Sequence, residues 1–193
     1  MRNLADSDKI RAFIATSIPT DIRNKIADST IDIFTKPEQL KIVKPDNYHL
    51  TLAFIGDISP DILEPLKNPF SLFCENFRQF HVQFGKIGTF PGVIFIKTIK
   101  GEEKLVDLAS AVRTILRNNS VPYDNKPFKG HLTLARMRNR AMKASNCLVD
   151  DFQDKTYDIN YIVEEFALIK SELTSTGPIY TTLSKHKLSQ PSK

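Results

Sequence analysis

The chain has 193 residues, of which 41% are hydrophobic and 25% are charged. This length suits one large domain or two small lobes, and the composition excludes an intrinsically disordered or collagen-like chain. No apolar run approaches the roughly 18 residues that a membrane span requires, so we expect no membrane partner.

The formal net charge is +5 and the isoelectric point is about 9.1, which fits a polyanionic partner such as RNA without requiring one. Cys74 and Cys147 are isolated and show no metal-binding spacing. Two cysteines in a chain of this length indicate a reducing compartment. Since residues 1–9 are polar and lack an apolar signal segment, we expect a cytoplasmic protein.

Hydrophobic periodicity and turn residues predict the elements of the fold in chain order. The first are a strand over residues 9–16, a helix from about 19 to 34, a strand over 48–55, a helix over 60–67 and a short helix near 70–76. These are followed by strands over 80–84 and 93–97, a helix over 102–117, a strand over 130–137, two strand pieces within 157–171 and a strand over 179–183. We expect a long loop over 139–154. The order predicts an α+β fold in which antiparallel strand pairs dominate.

One five-residue sequence, His-Leu-Thr-Leu-Ala, occurs at residues 49–53 and again at 131–135. Each copy lies in a predicted strand that follows a predicted helix. Side chains alternate on a strand, so a histidine and a threonine two positions later share one face, about 6.6–6.8 Å apart. Two such strands predict a site with two imidazoles, from His49 and His131, and two hydroxyls, from Thr51 and Thr133.

This set of groups suits the cleavage of a phosphodiester. One imidazole can take a proton from the nucleophile while the other gives a proton to the leaving oxygen, and histidine is suited to both tasks near neutral pH. The threonine hydroxyls can donate hydrogen bonds to phosphate oxygens in the transition state. Strict alternation also places the small Ala53 and Ala135 on the site face, where they leave room for a ligand.

Two other histidines are expected to lie outside the site. His81 falls on the polar face of an alternating strand, so we expect it at the surface. His186 falls in a basic tail, and we expect it to be solvated. Residues 1–8 and 186–193 are both predicted to be flexible tails.

Several aromatic and basic residues could contact RNA. Phe13 and Tyr48 could stack on a base, although we expect core packing for both. Lys126 and Lys129 precede the second motif and suit either an RNA backbone contact or a solvated loop.

The sequence resembles the two-histidine phosphoesterase superfamily. Within it, the chain looks like the RNA 2′,3′-cyclic phosphodiesterases, historically called 2′-5′ RNA ligases. The resemblance covers most of the chain and is carried by residues 11–15, 45–56, 90–91, 128–136, 171–173 and 177–180. Members often carry proline just before the second histidine, whereas this chain has Gly130, which gives the backbone more freedom.

The resemblance implies one bilobal domain over residues 1–193, with two pseudo-symmetric lobes, antiparallel sheets that line a central cleft, and helices outside. It implies that His49 is the acid and His131 the base. It also makes Arg136 a phosphate contact, although strand alternation turns that residue away from the cleft unless the strand ends or bulges there. We expect no metal, no cofactor and a monomer.

Four functions remain open at this point. The leading one is hydrolysis of RNA 2′,3′-cyclic phosphate ends, such as those of tRNA fragments, to 2′-phosphomonoesters. Reversible 2′-5′ ligation would use the same two histidines. A phosphodiesterase of small cyclic nucleotides and a non-catalytic module that binds RNA ends are the other two.

Overall fold

The computed structural model describes residues 8–34, 37–138, 156–175 and 177–190, and within them it has nine strands and four α-helices. The strands are β1 (Ile10–Thr16), β2 (Leu40–Ile42), β3 (Leu50–Ile58), β4 (Phe80–Phe90), β5 (Val93–Lys100), β6 (His131–Met137), β7 (Thr156–Val163), β8 (Glu165–Thr174) and β9 (Gly177–Lys187). The helices are α1 (Thr20–Thr30), α2 (Pro60–Leu63), α3 (Lys67–Asn76) and α4 (Glu102–Asn118).

Most predicted elements are confirmed, although β4 runs beyond the predicted 80–84 and β9 beyond the predicted 179–183. The first helix ends as an α-helix at Thr30 and continues as a 3-10 turn over Ile31–Ile33. The three-residue strand β2 was not predicted, because three residues are too few to show a period. The long loop predicted for 139–154, Cys147 and the first seven residues all lie outside the described part of the chain.

The strands form two antiparallel sheets with matching order. The first sheet has the order β3-β1-β8-β9, and the second has the order β2-β6-β5-β4-β7. Without the short β2, the second sheet runs β6-β5-β4-β7, so β6 corresponds to β3 and β5 to β1. The unit β1-α1-β3 therefore repeats as β5-α4-β6, which confirms the predicted α+β fold with two pseudo-symmetric lobes.

The helices cover the faces of the sheets that carry the core. Helix α1 packs on β7 of the second sheet and α4 packs on β3 of the first. Helix α4 is amphipathic, with two glutamates in its first turn and a buried stripe of Leu105, Leu108, Val112 and Leu116. This stripe joins the same core cluster as Leu50 of β3. The two lobes thus share one core, and their opposite faces are left for the site.

The prediction that His186 is solvated in a tail is wrong. His186 lies on β9 and is only 5% exposed. Its ring stacks on Phe166 at 5.2 Å and meets the edge of Phe70 at 5.1 Å, while Nε2 hydrogen-bonds to the Ser184 hydroxyl at 3.0 Å. Basic neighbours along the chain suggested a tail, but the alternate face of the strand is buried under α3. His81, by contrast, is exposed as predicted.

Candidate active site

The two motif histidines are held in the same way. Nδ1 of His49 hydrogen-bonds to the carbonyl oxygen of Asn47 at 2.7 Å, and Nδ1 of His131 hydrogen-bonds to the carbonyl oxygen of Lys129, also at 2.7 Å. A carbonyl can only accept, so each Nδ1 carries the proton and each Nε2 is left to face a substrate. The repeated sequence therefore yields two copies of one imidazole geometry.

The fold brings the two histidines together. Strands β3 and β6 contact each other across the two sheets. Leu50, Leu52, Leu132 and Leu134 are fully buried in the core, so Thr51 and Thr133 lie on the opposite face with the histidines. The structure thus places Thr51 and Thr133 on the strand faces turned away from the core, and it brings His131 near enough to His49 for its charge to act on that ring.

Burial and positive charge together lower the pKa of both imidazoles. Burial is the main cause for His49, whose pKa falls to about 4, and Arg136 and His131 lower it further. The pKa of His131 is also lowered, first by burial and then by Arg136 and Lys129. Both pKa values thus lie below 6.5, which favours the neutral rings at pH 7, and an anionic phosphate would raise both pKa values by favouring the charged form.

A β-bulge at the same place in each motif changes which side chains face the cleft. In the β1–β3 pair, Thr51 and Ala53 are matched to consecutive residues, so Leu52 is extra. In the β5–β6 pair, Thr133 and Ala135 are matched to consecutive residues, so Leu134 is extra. The strand changes phase at each bulge.

The bulges show that the expected position of the two alanines is wrong, and they supply the strand irregularity that Arg136 needs in order to face the cleft. Ala53 and Ala135, expected on the site face, are 1% and 0% exposed and belong to the core. Arg136 turns instead to the cleft, where its charge lowers the pKa of both histidines. The bulge that Arg136 needed to reach the site is therefore present.

Phe54 follows the first motif at the position that Arg136 occupies after the second, and a second arginine, Arg11, lies beside Phe54. The guanidinium of Arg11 on β1 lies 4.7 Å from the Phe54 ring centroid. The charges of Arg11 and Arg136 both act on Tyr180 and oppose the rise of its pKa that burial causes. Two cations thus lie at the cleft, and alternation in the sequence identified neither.

Each histidine is flanked by two aromatic rings. Phe13 and Tyr180 lie 4.9 and 5.4 Å from the His49 ring. Phe90 and Phe95 each lie 5.2 Å from the His131 ring. In each pair one ring, Phe13 or Phe95, is almost fully buried and the other is partly exposed. Phe13 is therefore buried against His49 and Tyr180 rather than in the core cluster, whereas the core packing expected of Tyr48 is confirmed at 5% exposure.

Gly130 is fixed by its surroundings rather than loose. Its carbonyl oxygen accepts two hydrogen bonds from Thr98, one from the backbone N–H at 3.2 Å and one from the hydroxyl at 3.1 Å. Both residues are buried, and a Cβ at position 130 would overlap Thr98 Oγ1. Glycine is therefore required by the close approach of Thr98, whose two hydrogen bonds hold the backbone just before His131.

Arg113 of α4 connects the two motifs. Its Nε donates to the carbonyl oxygen of Leu52 at 3.1 Å, and its Nη1 donates to the carbonyl oxygen of Lys126 at 2.9 Å. Leu52 is the bulged residue of the first motif, and Lys126 lies in the segment that leads to the second. Lys126 is itself exposed and pairs with Asp124, whereas Lys129 Nζ lies 5.1 Å from the Phe90 ring centroid.

This doubled motif also decides the family. The family model described as the 2′-5′ RNA ligase superfamily matches residues 41–174, which include both motifs. The chain belongs to the 2′-5′ RNA ligase superfamily. It is 32% identical over 190 residues to an RNA 2′,3′-cyclic phosphodiesterase of Aquifex aeolicus, covering 93% of this chain and 97% of that protein.

Solved structures of the superfamily share the fold. A crystal structure of E. coli LigT complexed with 3′-AMP superposes with a TM-score of 0.78 at 26% identity, covering 94% of this chain and 99% of that one. A crystal structure of the Thermus thermophilus protein TT0787 gives a TM-score of 0.76 at 28% identity, with coverage of 93% and 98%.

Two features are absent from the described residues. Among them, no helix has the length and apolar character to cross a membrane. The same part of the chain holds no group of three or more His, Cys, Asp or Glu side chains placed to bind a metal.

Proposed function

We propose that this protein hydrolyses RNA ends that carry a 2′,3′-cyclic phosphate and yields a 2′-phosphomonoester and a free 3′-hydroxyl. The observation that carries the proposal is the pair of imidazoles at one cleft, each with Nδ1 bound to a carbonyl and Nε2 left for a substrate. Relatives named RNA 2′,3′-cyclic phosphodiesterase, and a LigT structure with a bound 3′-nucleotide, support the substrate class.

The reaction needs one base and one acid on opposite sides of phosphorus. Water attacks phosphorus in line with the bond to O3′, and Nε2 of His131 takes a proton from the water. The P–O3′ bond breaks, and Nε2 of His49, in its protonated form, gives its proton to O3′. Each such group contributes typically about 10²–10⁴-fold to the rate.

Negative charge builds on the non-bridging oxygens of the phosphate during this step. The hydroxyls of Thr51 and Thr133 and the guanidinium of Arg136 would stabilise that charge. The charge of the bound phosphodiester also raises the pKa of His49, which allows that ring to hold the proton that it donates.

The test is hydrolysis of a short RNA with a 2′,3′-cyclic phosphate end, in EDTA, by the wild type and by His49→Ala and His131→Ala. The exposed His81→Ala variant is the matched control, and thermal melting checks that each variant folds. We expect a 2′-phosphate product from the wild type and the control, and a loss of turnover in both motif variants.

The other outcomes have defined meanings. Full activity in both motif variants would refute the catalytic role of the histidines. Binding without turnover by the wild type would favour a recognition module, whose affinity should fall steeply with salt because it depends on many phosphate contacts.

A further inference from the structure

A cavity of about 470 Å³ opens beside one of the two histidines. Its wall includes His49 and Tyr180, whose rings contact each other, and Glu165, which contacts Ser17 and Lys185; His131 is not part of the wall. The volume lies within the range of about 300–1,000 Å³ that is typical of small-molecule sites. The cavity is thus continuous with the proposed active site on the His49 side only.

The wall of the cavity carries a positioned carboxylate. Oε1 of Glu165 accepts a hydrogen bond from the Ser17 hydroxyl at 2.9 Å and pairs with Lys185 Nζ at 3.0 Å. Both contacts reach the same oxygen, so Oε2 is available to a donor on a ligand. The Glu165 side chain is only 17% exposed, whereas that of Lys185 is 58% exposed. A hydrogen bond to a shielded carboxylate discriminates strongly between ligands that have a donor and ligands that lack one.

The position of the cavity decides which part of the RNA would enter it. Under the proposed function, on which this inference rests, His49 protonates O3′ and therefore faces the ribose, while His131 faces the attacking water. A cavity beside His49 lies on the ribose side of phosphorus. The base of the same 3′-terminal nucleotide is attached to that ribose.

We propose that this cavity binds the base of the terminal nucleotide, and that Glu165 and Lys185 recognise the Watson–Crick edge of guanine. Guanine presents N1–H and N2–H donors, which suit a carboxylate, next to the O6 acceptor, which suits an ammonium group. Uracil presents a single N3–H donor between two carbonyl oxygens, which a carboxylate repels. Unpaired bases are commonly recognised by such edge contacts.

The experiment measures kcat/KM for the 2′,3′-cyclic monophosphates of guanosine, inosine, adenosine, cytidine and uridine. The variant is Glu165→Gln, which keeps the side-chain volume and an acceptor for Ser17. The matched control is Glu172→Gln, which removes a glutamate of the same strand that pairs with Lys170 at 3.2 Å and does not line the cavity.

We expect the wild type to prefer the guanosine substrate over the uridine substrate by about tenfold or more, with inosine, which lacks the N2 amino group, in between. Glu165→Gln should lower kcat/KM for guanosine by about tenfold, mainly through KM, and change uridine less than twofold. Glu172→Gln should change neither. The ranking of bases by the wild type tests the proposal even if the variant folds poorly.

Two results would overturn the inference and leave the proposed function standing. One is equal turnover of all five substrates. The other is a base preference that appears only with dinucleotides and follows the 5′ nucleotide, which would place the preceding base in the cavity. Failure to hydrolyse any cyclic phosphate, as a mononucleotide or as RNA, would instead refute the proposed function itself.

Discussion

Replacing Gly130 by alanine tests the close packing that positions the second histidine. The new Cβ would lie under 3.0 Å from Thr98 Oγ1, a separation that real Cβ atoms essentially never show. Thr98 is 4% exposed and its hydroxyl is bound to the Gly130 carbonyl, so it has little room to move. Overpacking of this kind costs about 1–3 kcal/mol of unfolding free energy.

The double variant Gly130→Ala, Thr98→Ala separates the clash from other effects. Thr98→Ala removes Oγ1, and the next contacts of the new Cβ are Thr98 Cβ and Leu105 Cδ1 at an ordinary 3.5 Å. Thr98→Ala alone should cost about 1 kcal/mol, since one of the two hydrogen bonds to the Gly130 carbonyl is lost. The double variant should then be no less stable than Thr98→Ala alone, within about 0.5 kcal/mol.

Thermal denaturation and turnover of a cyclic phosphate measure the two consequences. At about 2–4 °C per kcal/mol for a chain of this size, Gly130→Ala should lower the Tm by roughly 2–12 °C. A displaced backbone next to His131 should also lower kcat by about 10²-fold, and the double variant should recover most of it. Wild-type stability in Gly130→Ala, or no rescue by Thr98→Ala, would refute the reasoning.

Three further predictions concern charge and protonation. Both site histidines have pKa values below 6.5 in the free chain, so kcat/KM should fall as the pH rises above about 6.5, because the acid loses its proton. The bound phosphate should move the fall of kcat to higher pH. A kcat/KM profile that is flat to pH 8 would contradict this expectation. Arg136→Met should lower kcat/KM about 10- to 150-fold, as expected for the loss of a charged hydrogen bond of about 1.5–3 kcal/mol. It should also raise the pKa values of the kcat/KM profile, because the charge of Arg136 lowers the pKa of both histidines. The control Arg138→Met should have neither effect. Burial, and then the charge of Lys67, lower the pKa of His186, so the unfolded chain binds a proton there more readily and stability falls as the pH drops below 6.5. In urea titrations between pH 7.5 and 5, His186→Phe should therefore lose less unfolding free energy than the wild type. An equal loss in His186→Phe, or an equally reduced loss in the exposed control His81→Phe, would argue against a buried neutral ring.

The identity and face of the motif residues could be predicted because strand alternation is local. Leucines at 50 and 132 fix one face as the core, which leaves the histidine and the threonine on the other. The bulges could also have been predicted, since each motif places a leucine and an alanine side by side and so breaks the alternation. Taking that pair as a change of phase would have placed Arg136 at the cleft and the alanines in the core.

Other parts of the site depend on pairing between distant strands. Tyr180 and Glu165 reach the His49 side because β8 pairs with β1 and β9 pairs with β8. No local spacing connects them to the motif, and although Tyr180 lies within the segments that carry the resemblance, the sequence does not place either residue beside His49. Arg11 also lies within the segments that carry the resemblance, but its position over Phe54 depends on the β1–β3 register.

The order of the strands in the two sheets has a consequence for folding during synthesis. All five strands of the sheet that carries His131 lie before residue 164, whereas the sheet that carries His49 needs β8 and β9, over residues 165–187. When the first sheet to be completed leaves the ribosome, β1 still has one unpaired edge and the face beside His49 lacks Tyr180. The lobe that begins the chain is therefore the one completed last, and a nascent chain acquires the His131 half of the cleft before the His49 half.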